Sequence, residues 1–326
     1  MRTLRWGLLG TARITRSVIP ALRAAAGHEL TAVASRSAEK AAAHAKQWGI
    51  PRAITSYEAM LADPDIDIVY IPLPNHLHAE WTIKAAEAGK HVLCEKPIAL
   101  TVEEVDRIAA AAARHGVVVA EAFMYRHHPQ TMMLKQLVGE GAIGELRFIR
   151  GSFTFTLNRP GDVRFEPGYG GGSLWDVGCY PVSLARVLAG FQPREVFGRA
   201  QAGTTGIDEM FAGQLIFTDK LQAQFDCGFA APFRTEAELV GTTGSIRVTR
   251  PFKPGASETL VLSRGDDFEQ IAIDNAGELY VGEVEDMAKA IQDGTPSRVT
   301  LADSRDNTAV LVALYESARI GKPVTL

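Results

Sequence analysis

Cysteine is scarce in this sequence: three cysteines occur among 326 residues. Cys94, Cys179 and Cys227 lie far apart and form no C-x-x-C pair, which excludes a disulfide scaffold and a cysteine-ligated zinc site. No apolar stretch approaches the roughly 18–20 residues that a bilayer-spanning helix requires. The apolar run at the start is too short for a secretory signal. We therefore expect a cytoplasmic protein with no membrane partner.

A surplus of positive charge is also missing. Lysine and arginine together number 34 against 38 aspartate and glutamate, which gives a formal net charge of -4. A general attraction to nucleic acid is therefore not expected, and the ligand should be a small molecule. With 46% hydrophobic residues the chain is too apolar to be disordered, and its length suggests about two domains.

The first 121 residues alternate short apolar runs with alanine-rich segments of helical length. This alternation is typical of a parallel sheet with helices on both faces. Six strands with intervening helices predict a doubly wound, Rossmann-type α/β domain, which we place at residues 1–122. The predicted strands are 4–9, 30–34, 53–54, 66–71, 91–94 and 117–120, and the predicted helices are 13–26, 38–48, 76–88 and 102–114.

The pattern changes after Glu121. A helix over 132–138 and a long strand over 145–157 precede a loop rich in glycine and proline. Consecutive strand-like segments then predict an open, mainly antiparallel sheet, closed by helices over 278–291 and 301–320. The predicted strands are 195–200, 211–217, 221–227, 236–240, 245–248, 259–263 and 269–273. We expect an α+β domain at residues 123–326 that binds substrate. Two helices are too few to cover this Phe- and Val-rich sheet, so a homodimer or larger homo-oligomer is expected.

A glycine-containing turn follows the first predicted strand. Gly10 matches the first glycine of G-x-G-x-x-G, whereas Ala12 and Thr15 replace the second and third. An alanine methyl group still lets the backbone approach a pyrophosphate, whose charge the amides of a helix N-terminus stabilise. An ordinary tight turn is the alternative, but the surrounding βαβ alternation favours a cofactor site. The predicted contacts are Gly10, Thr11, Ala12, Arg13 and Ile14.

The end of the second strand lacks the acidic residue that selects NAD. An Asp or Glu there would bind the ribose 2′-hydroxyl, whereas Arg36 between Ser35 and Ser37 suits a 2′-phosphate. A solvated arginine at a strand end is the alternative interpretation. We predict NADP(H), in preference to NAD, as the cofactor, bound by these three residues and Lys40.

Two further segments place reactive polar residues near predicted strand or helix ends. Glu95 and Lys96 follow a strand at its carboxyl end, where open α/β sheets bind ligands. Asp176 and Tyr180 would share one face if residues 176–180 are helical, and Pro181 suits the first turn of a helix. In the preceding loop, Arg164 either lines the substrate site or is solvated.

These motifs resemble the Gfo/Idh/MocA oxidoreductases, named for glucose–fructose oxidoreductase and inositol dehydrogenase. The resemblance covers essentially the whole chain and is greatest for the branch with NADP-dependent D-xylose dehydrogenases and dimeric dihydrodiol dehydrogenases. It implies that Lys96 and Tyr180 are catalytic and that Asp176 is a substrate-side acid. The motifs are the Gly10 turn, 72–78, Glu95-Lys96-Pro97, 121–126 and 170–180. The cofactor contacts expected in these motifs beyond the glycine turn are Leu73, Pro74, Asn75, His78, Glu95, Lys96 and Arg126.

For two of these residues other roles are open. His78 either caps a helix or contacts the cofactor, and Arg126 either neutralises a phosphate or forms a structural ion pair. His76 and His78 have no carboxylate at ligand spacing, so no metal is expected.

The chemistry of an alcohol oxidation agrees with these residues. The reaction needs a hydride acceptor, which nicotinamide supplies, and a group that removes the hydroxyl proton. Tyrosine, with an ordinary pKa of about 10, is a poor base at neutral pH. A lysine ammonium beside Tyr180 would lower that pKa by favouring the phenolate. The sequence therefore predicts an oxidoreductase for a hydroxyl or carbonyl of a sugar, polyol or trans-diol-like substrate.

A non-catalytic dinucleotide-binding regulator on the same fold is the alternative function. A sensor needs the cofactor pocket but no proton donor, so the presence of both Lys96 and Tyr180 favours the enzyme.

Overall fold

A computed structural model describes residues 2–159, 161–275 and 277–326. The chain forms two compact units. The first comprises the described residues up to Met124 together with Glu278–Arg305, and the second comprises Tyr125–Gly277 and Asp306–Leu326. The sequence predicted that all residues after 122 belong to the second domain, whereas the structure places the segment 278–305 in the first unit.

A six-stranded parallel sheet forms the centre of the first unit. Its order, from the third strand to the sixth, is 3-2-1-4-5-6, and all neighbours are parallel. This is the order of doubly wound dinucleotide-binding folds, so the predicted fold class is confirmed. The strands are β1 (Leu4–Leu9), β2 (His28–Ala34), β3 (Arg52–Ile54), β4 (Ile68–Ile71), β5 (His91–Glu95) and β6 (Val119–Ala122).

Side-chain caps and glycines set the ends of several helices in this unit. The hydroxyls of Ser37, Ser56 and Thr101 each accept a backbone amide of the following first turn. Gly49 and Gly116 end two helices in the left-handed region, which glycine adopts without strain. The helices of the first unit up to Met124 are α1 (Thr15–Ala24), α2 (Ala38–Trp48), α3 (Tyr57–Leu61), α4 (His78–Glu87) and α5 (Val102–His115).

A nine-stranded sheet dominates the second unit. Its order is 14-13-12-11-7-10-9-8-15, and the pair of strands 7 and 10 is parallel while the others are antiparallel. The predicted mainly antiparallel sheet is confirmed. The strands are β7 (Leu146–Thr156), β8 (Glu195–Ala202), β9 (Asp208–Ile216), β10 (Gln222–Gly228), β11 (Ala230–Gly241), β12 (Ser245–Val248), β13 (Ser257–Arg264), β14 (Asp267–Asp274) and β15 (Val324–Thr325).

The remaining helices are α6 (Pro129–Gly139), α7 (Cys179–Ala189), α8 (Val281–Asp293) and α9 (Leu301–Ile320). The helix α8 packs against α1 and buries Val284 and Met287, which explains why this segment lies with the first unit. Within the described ranges, no helix is both long enough and apolar enough to cross a membrane.

Glycines let two helices lie close against one face of the second sheet. Gly151, Gly213 and Gly198 belong to one cross-strand row. A Cβ atom at Gly151 would come within 2.9 Å of Pro181 Cβ in α7, and one at Gly198 within 2.6 Å of the Leu314 carbonyl oxygen in α9. Side chains at these positions would push the helices away, so the glycines fix α7, and with it Tyr180, close to the sheet.

Candidate active site

The turn between β1 and α1 brings backbone close to any ligand at this edge of the sheet. Gly10 has φ of +139°, a conformation that favours glycine. Thr15, at the position of the third fingerprint glycine, is 1% exposed, and its Oγ1 donates to the Ala12 carbonyl at 2.8 Å. The first turn of α1 contains no acidic residue, so its amides can bind an anion without repulsion. The turn therefore fits a dinucleotide phosphate despite the missing glycines.

A surface pocket of about 430 Å³ adjoins this turn. Two guanidinium groups on its wall supply positive charge, which suits a phosphate-bearing ligand. Burial lowers the pKa of His44, which favours a neutral imidazole in the same wall. The lining residues are Thr11, Ala12, Arg13, Thr15, Arg16, His44, Gln47 and Trp48.

The residues after β2 divide into two roles. The Ser37 hydroxyl accepts the Lys40 amide at 3.2 Å and caps α2, and the Ser35 hydroxyl accepts the Ser37 amide at 3.3 Å. Arg36 is exposed and its guanidinium lies near the Tyr57 side chain. The serines therefore shape the turn, while Arg36 and the exposed Lys40 supply its positive charge.

The turn after β5 contains the Lys96–Pro97 peptide bond in the cis form. Buried groups hold it on both sides. The Tyr70 hydroxyl donates to Glu95 Oε1, and the Ile98 amide donates to Glu121 Oε1 at 2.9 Å. Sequence reasoning did not assign roles to Tyr70 and Glu121. A carboxylate inside the apolar run 117–122 was the signal that could have identified Glu121.

His78 connects this turn to the loop after β4. Its side chain is 1% exposed, with Nδ1 2.7 Å from the Pro97 carbonyl oxygen and Nε2 2.6 Å from that of Leu73. Burial lowers the pKa of His78 to about 4, although both carbonyls favour the cation. The His78 ring lies between two loops that carry predicted cofactor contacts, among them Pro74 and Asn75. In its neutral form it donates one hydrogen bond, to one of the two carbonyls.

A second carboxyl, Glu283 in α8, interacts electrostatically with Glu95. Glu283 is 2% exposed, and neither of its carboxyl oxygens has a hydrogen-bond partner within the described ranges. Burial, and then the charge of Glu95, raise the pKa of Glu283 well above its ordinary value. This favours a protonated Glu283 next to the turn that carries Lys96.

In the second unit, a π-helical turn over Leu174–Gly178 leads into α7. Pro181 has no N–H, and its ring excludes the carbonyl four residues earlier, so a regular α-helix cannot pass through this position unchanged. The predicted helical segment exists, but its beginning is wider than an α-helix. Asp176 lies in this π turn and Tyr180 in the first turn of α7. Such turns are frequent at functional sites.

Aromatic rings surround Tyr180, which is 4% exposed. Its ring centroid lies 5.7 Å from that of Tyr125, 5.4 Å from Phe153 and 5.8 Å from Phe252. The packing holds the Tyr180 ring in one orientation in an apolar environment.

An arginine orients Asp176. Arg164 Nε donates to Asp176 Oδ2 at 2.6 Å, and its Nη1 donates to Asp162 Oδ1 at 3.1 Å. The charges of Asp176 and then Asp162 raise the pKa of Arg164. Arg164, for which the sequence left two roles open, thus fixes one oxygen of the predicted substrate-side acid.

Arg126 lies in the second unit, whereas the other predicted cofactor residues lie in the first. It is 9% exposed, with Nη1 3.3 Å from Ser183 Oγ in α7. The Tyr125 hydroxyl donates to the same oxygen at 2.8 Å. Among the residues that the structure describes, no group of three or more His, Cys, Asp or Glu is arranged to hold a metal ion.

Comparisons with known proteins agree with the fold and with the motifs. An oxidoreductase family with an NAD-binding Rossmann fold matches residues 4–123, and the GFO/IDH/MocA C-terminal domain matches residues 131–247. D-xylose 1-dehydrogenase (NADP(+)) 2 of Haloferax volcanii is 36% identical over 99% of this chain and 100% of its own. The trans-1,2-dihydrobenzene-1,2-diol dehydrogenase of Xenopus laevis is 35% identical over 75% of this chain and 74% of its own.

A solved structure is similar over nearly the whole chain. KijD10, a 3-ketoreductase from Actinomadura kijaniata in complex with NADP and TDP-benzene, superposes with a TM-score of 0.91. It is 32% identical and the match covers 97% of this chain and 98% of that one. The relatives are oxidoreductases, and none of these comparisons supports a non-catalytic regulator. This chain belongs to the Gfo/Idh/MocA family of oxidoreductases.

Proposed function

We propose that the protein transfers a hydride between NADP(H) and a hydroxyl or carbonyl of a sugar, polyol or trans-diol-like substrate. The main support is the combination of Tyr180, held in an aromatic environment, with Asp176, oriented by Arg164. The named relatives are a D-xylose dehydrogenase, a trans-diol dehydrogenase and a 3-ketoreductase, and the reacting group in each of these reactions is a hydroxyl or a carbonyl.

Each side chain of the proposed site has its own role in the reaction. When bound, the nicotinamide supplies the hydride acceptor or donor. Tyr180 removes the substrate hydroxyl proton during oxidation and returns it to the carbonyl oxygen during reduction. The Lys96 ammonium favours the phenolate of Tyr180 and so lowers its pKa. Asp176 accepts a hydrogen bond from a second substrate hydroxyl and thereby orients the reacting carbon.

A substrate panel tests this function directly. Aldoses, inositols, trans-diols and keto-sugars are incubated with each oxidised or reduced nicotinamide cofactor, and the absorbance of the reduced nicotinamide is followed. We expect turnover with at least one hydroxylated substrate class and higher kcat/KM with NADP(H) than with NAD(H). Normal NADP binding without turnover of any compound would contradict the proposal and favour the regulator.

Arg36→Ala should narrow the preference for NADP over NAD. A charge-assisted hydrogen bond to the 2′-phosphate is worth about 1.5–3 kcal/mol, which corresponds to roughly 10- to 150-fold in affinity. We expect the Kd for NADP to rise by that factor while the Kd for NAD changes little, as measured by fluorescence titration. Arg114→Ala is the control, because Arg114 is an exposed arginine in the last turn of α5. An unchanged ratio for Arg36→Ala would assign the selectivity to Ser35, Ser37 or Lys40.

We propose that the second unit assembles into a homodimer or larger homo-oligomer through the sheet face opposite α7 and α9. One cross-strand row on this face consists of long polar side chains and an exposed aromatic ring, which a second copy of the chain can cover. The row runs through Glu238, Arg150, Gln224, Gln214 and Phe197, of which Phe197 is 36% exposed.

Phe197→Asp should convert the oligomer to a monomer at micromolar concentration, because it places a charge in the covered face. Phe191→Asp is the matched control, since Phe191 is 48% exposed and lies outside the sheet, in the turn that follows α7. Light scattering after gel filtration measures the mass. A monomeric wild-type protein at micromolar concentration would overturn the assembly proposal.

We further propose a cytoplasmic location and a reaction without a metal ion. Cys94, Cys179 and Cys227 are buried thiols, which suits a reducing compartment. Tyr180, whose pKa Lys96 lowers, provides the proton transfer that a metal-bound water would otherwise provide.

A further inference from the structure

Asp208 in β9 is a buried carboxylate on which three donors converge. Its Oδ2 accepts the Leu174 amide at 2.7 Å and the Ser173 hydroxyl at 2.8 Å, and its Oδ1 accepts the Tyr315 hydroxyl at 2.7 Å. Asp208 is 4% exposed, so these bonds lie away from water. Hydrogen bonds to a buried carboxylate are shorter and stronger than those between neutral groups. The carboxylate therefore ties three separate parts of the second unit together.

Two of these hydrogen bonds lie at the start of the π turn that contains Asp176. The residue before this turn provides no side-chain cap for it, and Asp208 from a distant strand accepts its first amide instead. Gly172 has φ of +124°, and a Cβ there would lie 2.2 Å from Asp208 Oδ1. The Asp176 amide in turn donates to the Gly172 carbonyl at 3.1 Å. The backbone that enters the π turn is thus pressed against Asp208.

Tyr315 in α9 connects the same carboxylate to the side of the turn. Its ring centroid lies 5.4 Å from that of Trp175, the neighbour of Asp176, while its hydroxyl donates to Asp208. A shift of the π turn would therefore disturb the ring packing and the hydrogen bonds together.

We propose that Asp208 is a positioning residue for the reaction: it fixes the π turn and thereby sets where Asp176 and Tyr180 lie. This proposal rests on the function proposed above, because it assigns the reaction to those two residues. Asp208 touches neither substrate nor cofactor in this role. Its contribution is geometric, and displacements of about 1 Å at a reacting group cost as much as roughly 10²-fold in rate.

Three variants test the proposal. Asp208→Asn removes the charge, and Tyr315→Phe removes one donor while keeping the ring. Ser317→Ala is the matched control in the same helix, because Ser317 Oγ accepts the Gly198 amide at 3.0 Å and donates to the Lys322 carbonyl at 2.6 Å, away from the π turn.

We expect kcat to fall by roughly 10- to 100-fold for Asp208→Asn and about 10-fold for Tyr315→Phe, with a higher KM for the hydroxylated substrate. The Kd for NADP should stay unchanged. Hydrogen exchange of a peptide spanning 172–180 should be faster in both variants than in the wild type. Ser317→Ala should lower the Tm by a similar amount but keep wild-type kcat and wild-type exchange in that peptide.

Equal kcat in all three variants, with comparable losses in Tm, would show a merely structural role and overturn the proposal. If Asp208→Asn does not fold, Tyr315→Phe and Ser173→Ala provide the same comparison. Failure of the wild-type enzyme to turn over any compound in the panel would overturn the proposed function and the role of Asp208 in that reaction. The exchange measurement would still show whether Asp208 anchors the π turn.

Discussion

Tyr180→Phe should lower kcat by roughly 10²–10⁴-fold, the range expected when a general acid–base group is lost. Phenylalanine fills the same space among the rings of Phe153 and Phe252, whose centroids lie 5.4 and 5.8 Å away, so the substitution removes the transferable proton and little else. Both kcat and kcat/KM should decrease by about the same factor, because the group acts in the transition state. Stopped-flow absorbance at saturating NADP measures the loss, and a separate titration should give a near-normal Kd for NADP.

Tyr125→Phe is the matched control for this experiment. Tyr125 is a fully buried tyrosine in the same aromatic cluster, and its hydroxyl donates to Ser183. Loss of that hydrogen bond should cost about 1 kcal/mol of folding free energy but leave kcat within a few-fold of the wild type. If Tyr180→Phe instead retained near-native turnover, the proton carrier would have to be Lys96 or a histidine.

The pH dependence gives a second signature of Tyr180. Oxidation needs the phenolate, so kcat for alcohol oxidation should rise with pH through one ionisation below the ordinary tyrosine value of about 10. Reduction needs the neutral phenol, so its kcat should fall across the same pH range. Both ionisations should disappear in Tyr180→Phe. Identical pH profiles for the two directions would contradict the assignment.

Much of the fold follows from local sequence patterns. The strands at Leu4–Leu9 and Ser245–Val248 have the bounds that their apolar residues predict, because each run ends in polar or turn-forming residues. The short helix Tyr57–Leu61 has too few residues to show a helical period, so only its cap, Ser56, marks it in the sequence. The strand Ala230–Gly241 begins six residues before the predicted one, where an exposed proline-containing stretch hides the alternation.

The pairing of strands that are distant in the chain could not be predicted from the sequence. The parallel neighbours β7 and β10 are separated by two intervening strands in the chain, and nothing in their local pattern distinguishes a parallel partner from an antiparallel one. The amphipathic helix α8 shows which of its faces is buried, but its sequence does not show which core that face will cover.

The active-site motifs could be predicted from the sequence, whereas the contacts that hold these motifs in place could not. Contiguous motifs such as Glu95-Lys96-Pro97 indicate where chemistry takes place, because spacing along one turn is fixed by the chain itself. The partners of these motifs lie outside them in the chain: Tyr70 bonds to Glu95, Arg164 from the preceding loop bonds to Asp176, and Asp208 accepts the Leu174 amide. Such pairs depend on tertiary packing, which makes them the part of the site that one sequence does not reveal.

Lys96→Met should lower kcat for alcohol oxidation at neutral pH by roughly 10- to 1,000-fold. An adjacent positive charge lowers the pKa of a tyrosine by about 1–3. When that charge is lost, the phenolate fraction at a pH below the pKa falls about tenfold for each unit by which the pKa rises. The loss should therefore shrink as the pH rises towards 10, which separates a lost charge from a lost fold. Lys96→Arg is the control, since it keeps the positive charge. The pKa seen in its pH profile for oxidation should be lower than the pKa seen for Lys96→Met.

The double variant decides whether the two residues act as one unit. If the ammonium of Lys96 works only through the phenolate of Tyr180, its removal has no further target once the hydroxyl is gone. The Lys96→Met, Tyr180→Phe enzyme should then be hardly slower than Tyr180→Phe alone, and its kcat should be far above the value expected if the single losses multiplied. Fully multiplicative losses would show that Lys96 contributes independently of Tyr180, by contacting substrate or cofactor, and the proposed lowering of the tyrosine pKa would have to be abandoned.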